Sequence, residues 1–304
     1  MSTHRQLGKG LPLVGLAACL ALAWLAGCQG AAAQGPKPTG HLQVDFLDVG
    51  QGDAALVTSP AGKTVLIDGG LPEAGDTVVA FLDGHRIGTL DLVFLTHRHA
   101  DHLGGLRAVV DKHGTRMFLD APYPHDIQEY QRLLALLDRQ HVPVRQAERG
   151  RSIDLGAGAR LTLLGPPEPP LTNTRSDVNA NSVVSRIDFG KFGILFAADA
   201  EAQTERWLLD NQSNLRAAVL KVAHHGSRYS STPKFLQAVQ PLVAVVSVGV
   251  GNEYHHPDAQ TLDRLTRMGA HIFRTDIDGP IAIESDGAKI EVLVHGRKEV
   301  FQLP

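Results

Sequence analysis

The decapeptide Thr96-His97-Arg98-His99-Ala100-Asp101-His102-Leu103-Gly104-Gly105 constrains this chain more than any other stretch. Three histidines and a carboxylate fall within six residues, directly behind the apolar run Asp91-Leu92-Val93-Phe94-Leu95. In an extended segment residues i and i+2 project the same way, so His97 and His99 can close on one ion from one face. A turn into a helix at Asp101 swings Asp101 and His102 toward a second ion, which favours a two-metal site over one structural zinc.

The chain has the means to build a large domain around that stretch. Its 304 residues and 43% hydrophobic content suffice for a sizeable core. There are 29 Lys+Arg against 32 Asp+Glu, a net charge of -3, and residues 1–27 hold Arg5 and Lys9 with no acid, which leaves the remainder at -5. No broad basic footprint exists, so a nucleic-acid substrate would have to be held locally, by metals and a few cations. Both cysteines, Cys19 and Cys28, sit near the N-terminus, which excludes a disulfide framework and a Cys-rich zinc module. That segment has a basic start, an apolar core over residues 11–24 and then Leu25-Ala26-Gly27-Cys28, the order of a bacterial lipoprotein signal. Cleavage before Cys28 would leave that residue lipidated, and the protein exported and anchored in the cell envelope, facing the periplasm or at the cell surface. The expected organisation is a signal peptide over 1–27, a small, Pro/Gly-rich tether over 28–40 and one domain over 41–304.

Within the domain, residues 42–47 alternate with strand period, and 54–58 and 64–67 form a hairpin across Ser59-Pro60-Ala61-Gly62. Helices are expected over 77–82, 103–112, 127–140, 201–209, 232–239 and 259–268. Strands are expected over 116–119, 183–189, 194–197, 218–223, 242–248 and 272–274, with a final hairpin at 281–284 and 289–292. Residues 166–179, with Pro166-Pro167-Glu168-Pro169-Pro170, read as a loop that separates two halves. Strands interleaved with helices in two comparable halves predict an α/β fold of two sheets packed face to face with helices outside.

Further site candidates lie at strand ends. Asp199 follows the apolar Ile194-Leu195-Phe196-Ala197-Ala198, where a carboxylate can bridge two metals or cap the helix from Glu201. His224-His225-Gly226-Ser227 follows Val219-Leu220-Lys221-Val222-Ala223 in the same manner, and His255-His256-Pro257 precedes another helix.

The succession Asp48-Val49-Gly50-Gln51-Gly52-Asp53, Leu66-Ile67-Asp68-Gly69-Gly70, Thr96 to Gly105, Asn181-Ser182-Val183-Val184, Ala198-Asp199-Ala200-Glu201, Val222-Ala223-His224-His225-Gly226-Ser227 and Thr275-Asp276-Ile277-Asp278-Gly279 resembles the metallo-beta-lactamase superfamily. More narrowly it is similar to the hydrolase domain of ComEC-type DNA-uptake proteins, over nearly all of residues 41–295. The resemblance implies a four-layer alpha-beta-beta-alpha sandwich with two divalent ions at its edge. His97 and His99 would hold one ion, Asp101 and His102 the other, Asp199 would bridge them, and Asp68 would orient the histidines through hydrogen bonds. The superfamily's usual histidine between the cluster and the bridging Asp is missing here, since no His occurs between His141 and His224. The first ion would then take His225 or His224, or an oxygen of Asn179, with Asn181 nearby; His256 would complete the second.

Zinc suits the imidazole-rich set, with manganese the alternative. The implied reaction is hydrolysis by a hydroxide held at the metals, with Asp101 at the reacting centre, His224 or His225 protonating the leaving group and Lys221 or Arg228 steadying a phosphate. The expected substrate is a small or polymeric phosphoester, single-stranded DNA included. The alternatives are another ester or amide, such as a choline-phosphate ester or a beta-lactam, or a non-catalytic binding protein on the same fold.

Overall fold

Strand alternation sorts apolar side chains onto two faces, and each face needs a layer to cover it. The computed structural model describes residues 36–212 and 214–303; the signal peptide expected over 1–27, Cys28 and much of the tether lie outside them. The chain runs through β1 (Leu42–Phe46), β2 (Ala55–Thr58), β3 (Thr64–Ile67), α1 (Gly75–Gly84), β4 (Leu92–Phe94), α2 (Ala100–Leu103), α3 (Leu106–His113), β5 (Phe118–Asp120), α4 (Gln128–Arg139) and β6 (Val144–Gln146). There follow β7 (Ser152–Gly156), β8 (Ala159–Leu163), α5 (Asp177–Ala180), β9 (Ser185–Phe189), β10 (Phe192–Phe196), α6 (Ala202–Asn211), β11 (Val219–Lys221), α7 (Pro233–Val239) and β12 (Val243–Val246). The last elements are α8 (Ala259–Arg267), β13 (His271–Arg274), α9 (Thr275–Asp278), β14 (Ile281–Ser285), β15 (Lys289–Val294) and β16 (Arg297–Gln302). Among the described residues no helix is long and apolar enough to cross a membrane.

Nine strands form one sheet in the order β16-β15-β14-β1-β2-β3-β4-β5-β6, and seven form the other in the order β13-β12-β11-β10-β9-β8-β7. Individual strands show how the layers arise. Val65 and Ile67 of β3 enter the apolar layer between the sheets, whereas Leu66 joins Val78 and Leu82 of α1, Leu106 of α3 and Leu137 of α4. In β10, Ile194 and Phe196 face the other sheet, and Leu195 joins Leu208 of α6, Phe235 of α7 and Leu265 of α8. The rings of Phe46 and Phe196 meet 6.0 Å apart in the shared layer. The result is the expected sandwich of helices, sheet, sheet and helices.

The division into halves differs from the sequence reading. The chain changes sheet between β6 and β7, not at the proline-rich loop, because β8 pairs antiparallel with β9 and β7 antiparallel with β8, extending the second sheet. It returns at β14, which pairs with β1, Leu42 opposite Ser285. The helix expected over 103–112 is also broken after Leu103. A Cβ on Gly104 would lie 2.3 Å from the Pro72 nitrogen and one on Gly105 2.2 Å from the Gly69 carbonyl oxygen, so the exit of the histidine cluster packs backbone on backbone against the segment after β3.

Strand direction positions the site. β3, β4, β5 and β6 run parallel, as do β10, β11, β12 and β13. Their C-terminal ends deliver Asp68, the histidine cluster, Asp199 and the His224-His225 pair to one edge, as open α/β sheets do for their ligands.

Candidate metal centre

Asp68 leaves β3 with a left-handed backbone (φ 59) and places both carboxylate oxygens against the cluster. Oδ1 accepts the Thr96 N–H at 2.8 Å; Oδ2 accepts the Thr96 hydroxyl at 2.7 Å and His102 Nδ1 at 2.8 Å. His102 Nε2 is thereby left without a hydrogen-bond partner and aimed at the site. The Thr96 hydroxyl, donating to Asp68, accepts from His97 Nδ1 at 3.1 Å, which turns His97 Nε2 to within 3.2 Å of His99 Nδ1.

Asp199 comes off β10 after Ala198, another left-handed residue (φ 48). It does not cap α6, whose N-cap position is Glu201. Its Oδ2 lies 3.6 Å from His97 Nε2 and 3.7 Å from His224 Nε2; its Oδ1 lies 3.4 Å from His102 Nε2 and 3.8 Å from His225 Nε2. Beyond β11, His224 and His225 are both left-handed (φ 49 and 52), which aims neighbouring imidazoles at different oxygens of Asp199. His225 Nδ1 donates to the Ser247 carbonyl at 2.9 Å, and its Nε2 sits 3.2 Å from Asp101 Oδ2. Left-handed non-glycine residues cost roughly 1–3 kcal/mol each and persist where the surroundings over-determine them. Asp68, Ala198, His224 and His225 all carry that strain at this one edge.

Two donor groups therefore flank one carboxylate. His97, with His99 beside it, and His224 approach Asp199 Oδ2, and Asp101, His102 and His225 gather toward Oδ1. Donor atoms of His97, His102 and Asp199, and likewise of Asp101, His102 and His225, lie within 4.8 Å of one another. Asp199 Oδ1 and Asn179 Oδ1 are buried and without partners, a condition rare in folded proteins unless something else satisfies such atoms. Burial, aided by the charge of His102, holds His97 well below the usual histidine range and lowers His99 as well. Although burial opposes it, Asp199 is kept well below the usual carboxylate range by His224 and His102. The neighbouring carboxylates act the other way on His102, held well above the usual histidine range, and on His225, pushed up to about 10. Neutral His97 and His99 beside an ionised Asp199 are ready for a divalent cation, and on the other side a cation would take the place of the protons on His102 and His225.

The remaining candidates fall in several places. Lys221 does not reach the cavity. Strand parity puts it with Val219 on the inter-sheet side of β11, 3% exposed, where Nζ lies 2.6 Å from Asp53 Oδ2 and donates to the Val222 carbonyl. His256 stands beside His224, ring centroids 5.6 Å apart, and not beside Asp101 and His102, where the approaching nitrogen is that of His225. Asn181 has its amide engaged with Leu171 and the Asp177 carbonyl, so it staples a loop, whereas Asn179 Nδ2 lies 3.4 Å from His224 Nε2. Arg228 is exposed and bound to Asp258 at 2.8 Å.

Two residues with no role assigned from sequence turn out to brace the histidines. Asp53 Oδ1 is 3.3 Å from His225 Nδ1, and burial is outweighed by Lys221 and His225, which bring its carboxyl down to about 2. The signal was the glycine before it: a Cβ on Gly52 (φ 133) would sit 2.3 Å from the Asp101 carbonyl, the same oxygen that accepts the Asp53 N–H at 3.0 Å. Glu201, with its side chain 2% exposed, faces His224 Nδ1 at 3.4 Å and Arg175 at 3.2 Å. Over the site lies a cavity of about 800 Å³, lined among others by His99, Asp101, Asn179, Asp199, His224 and Tyr254.

Comparison with known proteins accords with this geometry. ComE operon protein 3 of Bacillus subtilis is 28% identical over 79% of this chain and 32% of its own length. A UPF0173 metal-dependent hydrolase of Cupriavidus necator is 28% identical over 53% of this chain and 52% of its own. The chain thus spans about a third of the first relative and half of the second. Among solved structures, CmlA, a diiron beta-hydroxylase from Streptomyces venezuelae, superposes with a TM-score of 0.52 at 15% identity over 79% of this chain and 53% of that one, a likeness of fold alone. The family model described as "Metallo-beta-lactamase superfamily" matches residues 47–250, from the end of β1 to the loop beyond β12 and so across every donor that meets Asp199, and the chain belongs to that superfamily.

Proposed function

We propose that this protein is a dinuclear phosphodiesterase, with single-stranded DNA or another phosphodiester as substrate and zinc, ahead of manganese, as its metal. The observation that carries the reading is Asp199, whose two oxygens each face a separate group of histidines. Two ions held there would polarise a phosphoryl oxygen and supply a nucleophile from water at neutral pH. The chain's own residues do the rest. Thr96 fixes the His97 imidazole on one side, and Asp68, Ser247 and Asp53 fix His102 and His225 on the other. His225 is 2% exposed, but His224 is 14% exposed and lines the cavity, so His224 is the one of the pair that carries a proton to the leaving oxygen, oriented by Glu201.

The test is metal analysis of the purified protein, with activity measured on single-stranded DNA, a simple phosphodiester and a beta-lactam. His99→Ala should lose metal and activity together; in His224→Ala, assayed with metal restored to the wild-type content, kcat should fall by roughly 10²–10⁴. Wild-type protein that binds metal yet hydrolyses neither phosphodiester would refute the proposal, and turnover of the beta-lactam would replace it.

We further propose that the protein is exported and lipid-anchored through Cys28. Labelled fatty acid should enter the wild type and not Cys28→Ser, and membrane association that survives the substitution would defeat this reading.

A further inference from the structure

Aromatic residues make up only 5% of this chain, and half of them are buried in the core. Among the described residues the exposed ones are Tyr229 and Tyr254, at 47% and 58%, and both line the cavity over Asp199. Exposed aromatic rings gathered on one cavity mark a surface that something else covers. Each ring is braced by a neighbour. The Arg175 guanidinium lies 4.0 Å from the centre of the Tyr229 ring, and Tyr254 is stacked with His256, centroids 6.0 Å apart and planes at 27°.

The charges at the same rim decide what that covering group is. Arg175 is paired with Glu201, and Arg228 with Asp258. Neither is free to track a phosphate backbone, and the chain as a whole carries -3. A polymeric phosphodiester therefore finds little electrostatic grip away from the metal positions. What the cavity offers instead is flat rings, which hold nucleobases of any sequence by stacking. In a duplex the bases are stacked on one another and cannot reach such rings without being extruded.

We propose, resting on the phosphodiesterase reading above, that Tyr229 and Tyr254 are stacking subsites for nucleobases flanking the scissile phosphate, so that the preferred substrate is an unpaired strand. The metal-loaded full chain is assayed on a short single-stranded oligonucleotide, on the same oligonucleotide annealed to its complement, and on a counterpart of equal length made of abasic residues. The wild type should show a KM about tenfold or more lower for the strand with bases than for the abasic one, and poor turnover of the duplex. Tyr229→Ala and Tyr254→Ala should each bring that KM ratio toward one, and Tyr229→Phe and Tyr254→Phe should keep it. Because the ratio is taken within one protein, loss of folded enzyme does not move it. Equal KM for the two single strands in the wild type, or a ratio that survives both alanine substitutions, overturns the stacking subsites while leaving phosphodiester hydrolysis intact. Hydrolysis of neither strand by metal-bound protein removes the phosphodiesterase reading and this one with it.

Discussion

Asp68 holds the cluster through three hydrogen bonds, and its charge is what makes it a strong acceptor for His102 Nδ1. Asp68→Asn keeps the shape but turns one acceptor into a donor, so His102 loses its fixed orientation. Metal affinity measured by titration should fall by about 10–100-fold with the fold retained. Asp53 and Lys221 form a buried ion pair, and removing one member strands the other. Asp53→Asn and Lys221→Met should each lower unfolding free energy by about 3–5 kcal/mol in denaturant titrations, and the double variant should lose much less than the two together. Lys221 also shows where residue-level reading fails. A lysine three residues before a histidine pair invites a role with substrate, but whether it faces the cavity or the core depends on strand parity, and the boundary of a three-residue strand is not written in its sequence. By contrast His97, His99, Asp101 and His102 lie in one continuous stretch, so their proximity needed no tertiary knowledge.

Among the helices, α7 begins without a side-chain cap of its own, and Glu205 of α6 supplies one. Its carboxylate accepts the Ser231 N–H and, at 2.8 Å, the Thr232 N–H. Burial pushes Glu205 up from 4.5 to about 7 despite those bonds. The folded protein therefore holds a proton that the unfolded chain releases at lower pH. This contribution to stability is complete below about pH 4.5 and is lost as pH rises through about 7. Thermal unfolding followed across that window should show Tm declining with pH, and Glu205→Gln should flatten the decline. The same comparison of elements explains which strands went unseen in the sequence. β16 is mostly exposed and lacks the alternation that marks β1 or β14, whereas β7, Ser152-Ile153-Asp154-Leu155-Gly156, does alternate but is a short run between glycine turns. The proline-rich loop was legible as a loop, but the point where the chain crosses between sheets leaves no compositional trace, since it is fixed by β8 pairing with β9.

For the domain taken together, the stretch that the superfamily model matches, residues 47–250, is not a complete folding unit. It omits β1 and the three strands β14, β15 and β16 that continue the first sheet beyond it. Ile281, Ile283, Ile290 and Val292 from that region lie in the apolar layer between the sheets. Protein lacking residues 280–304 should expose both that layer and the edge of β1. We expect it to aggregate on expression, which sedimentation of the lysate would reveal. The pairing of Leu42 with Ser285 also sets a timetable. A growing chain presents β1 long before its partner on one side, so the nine-stranded sheet cannot close until β14 has emerged. Such long-range pairing makes for late and slow folding, and it leaves the growing chain open to whatever holds unfolded polypeptides until β14, β15 and β16 emerge.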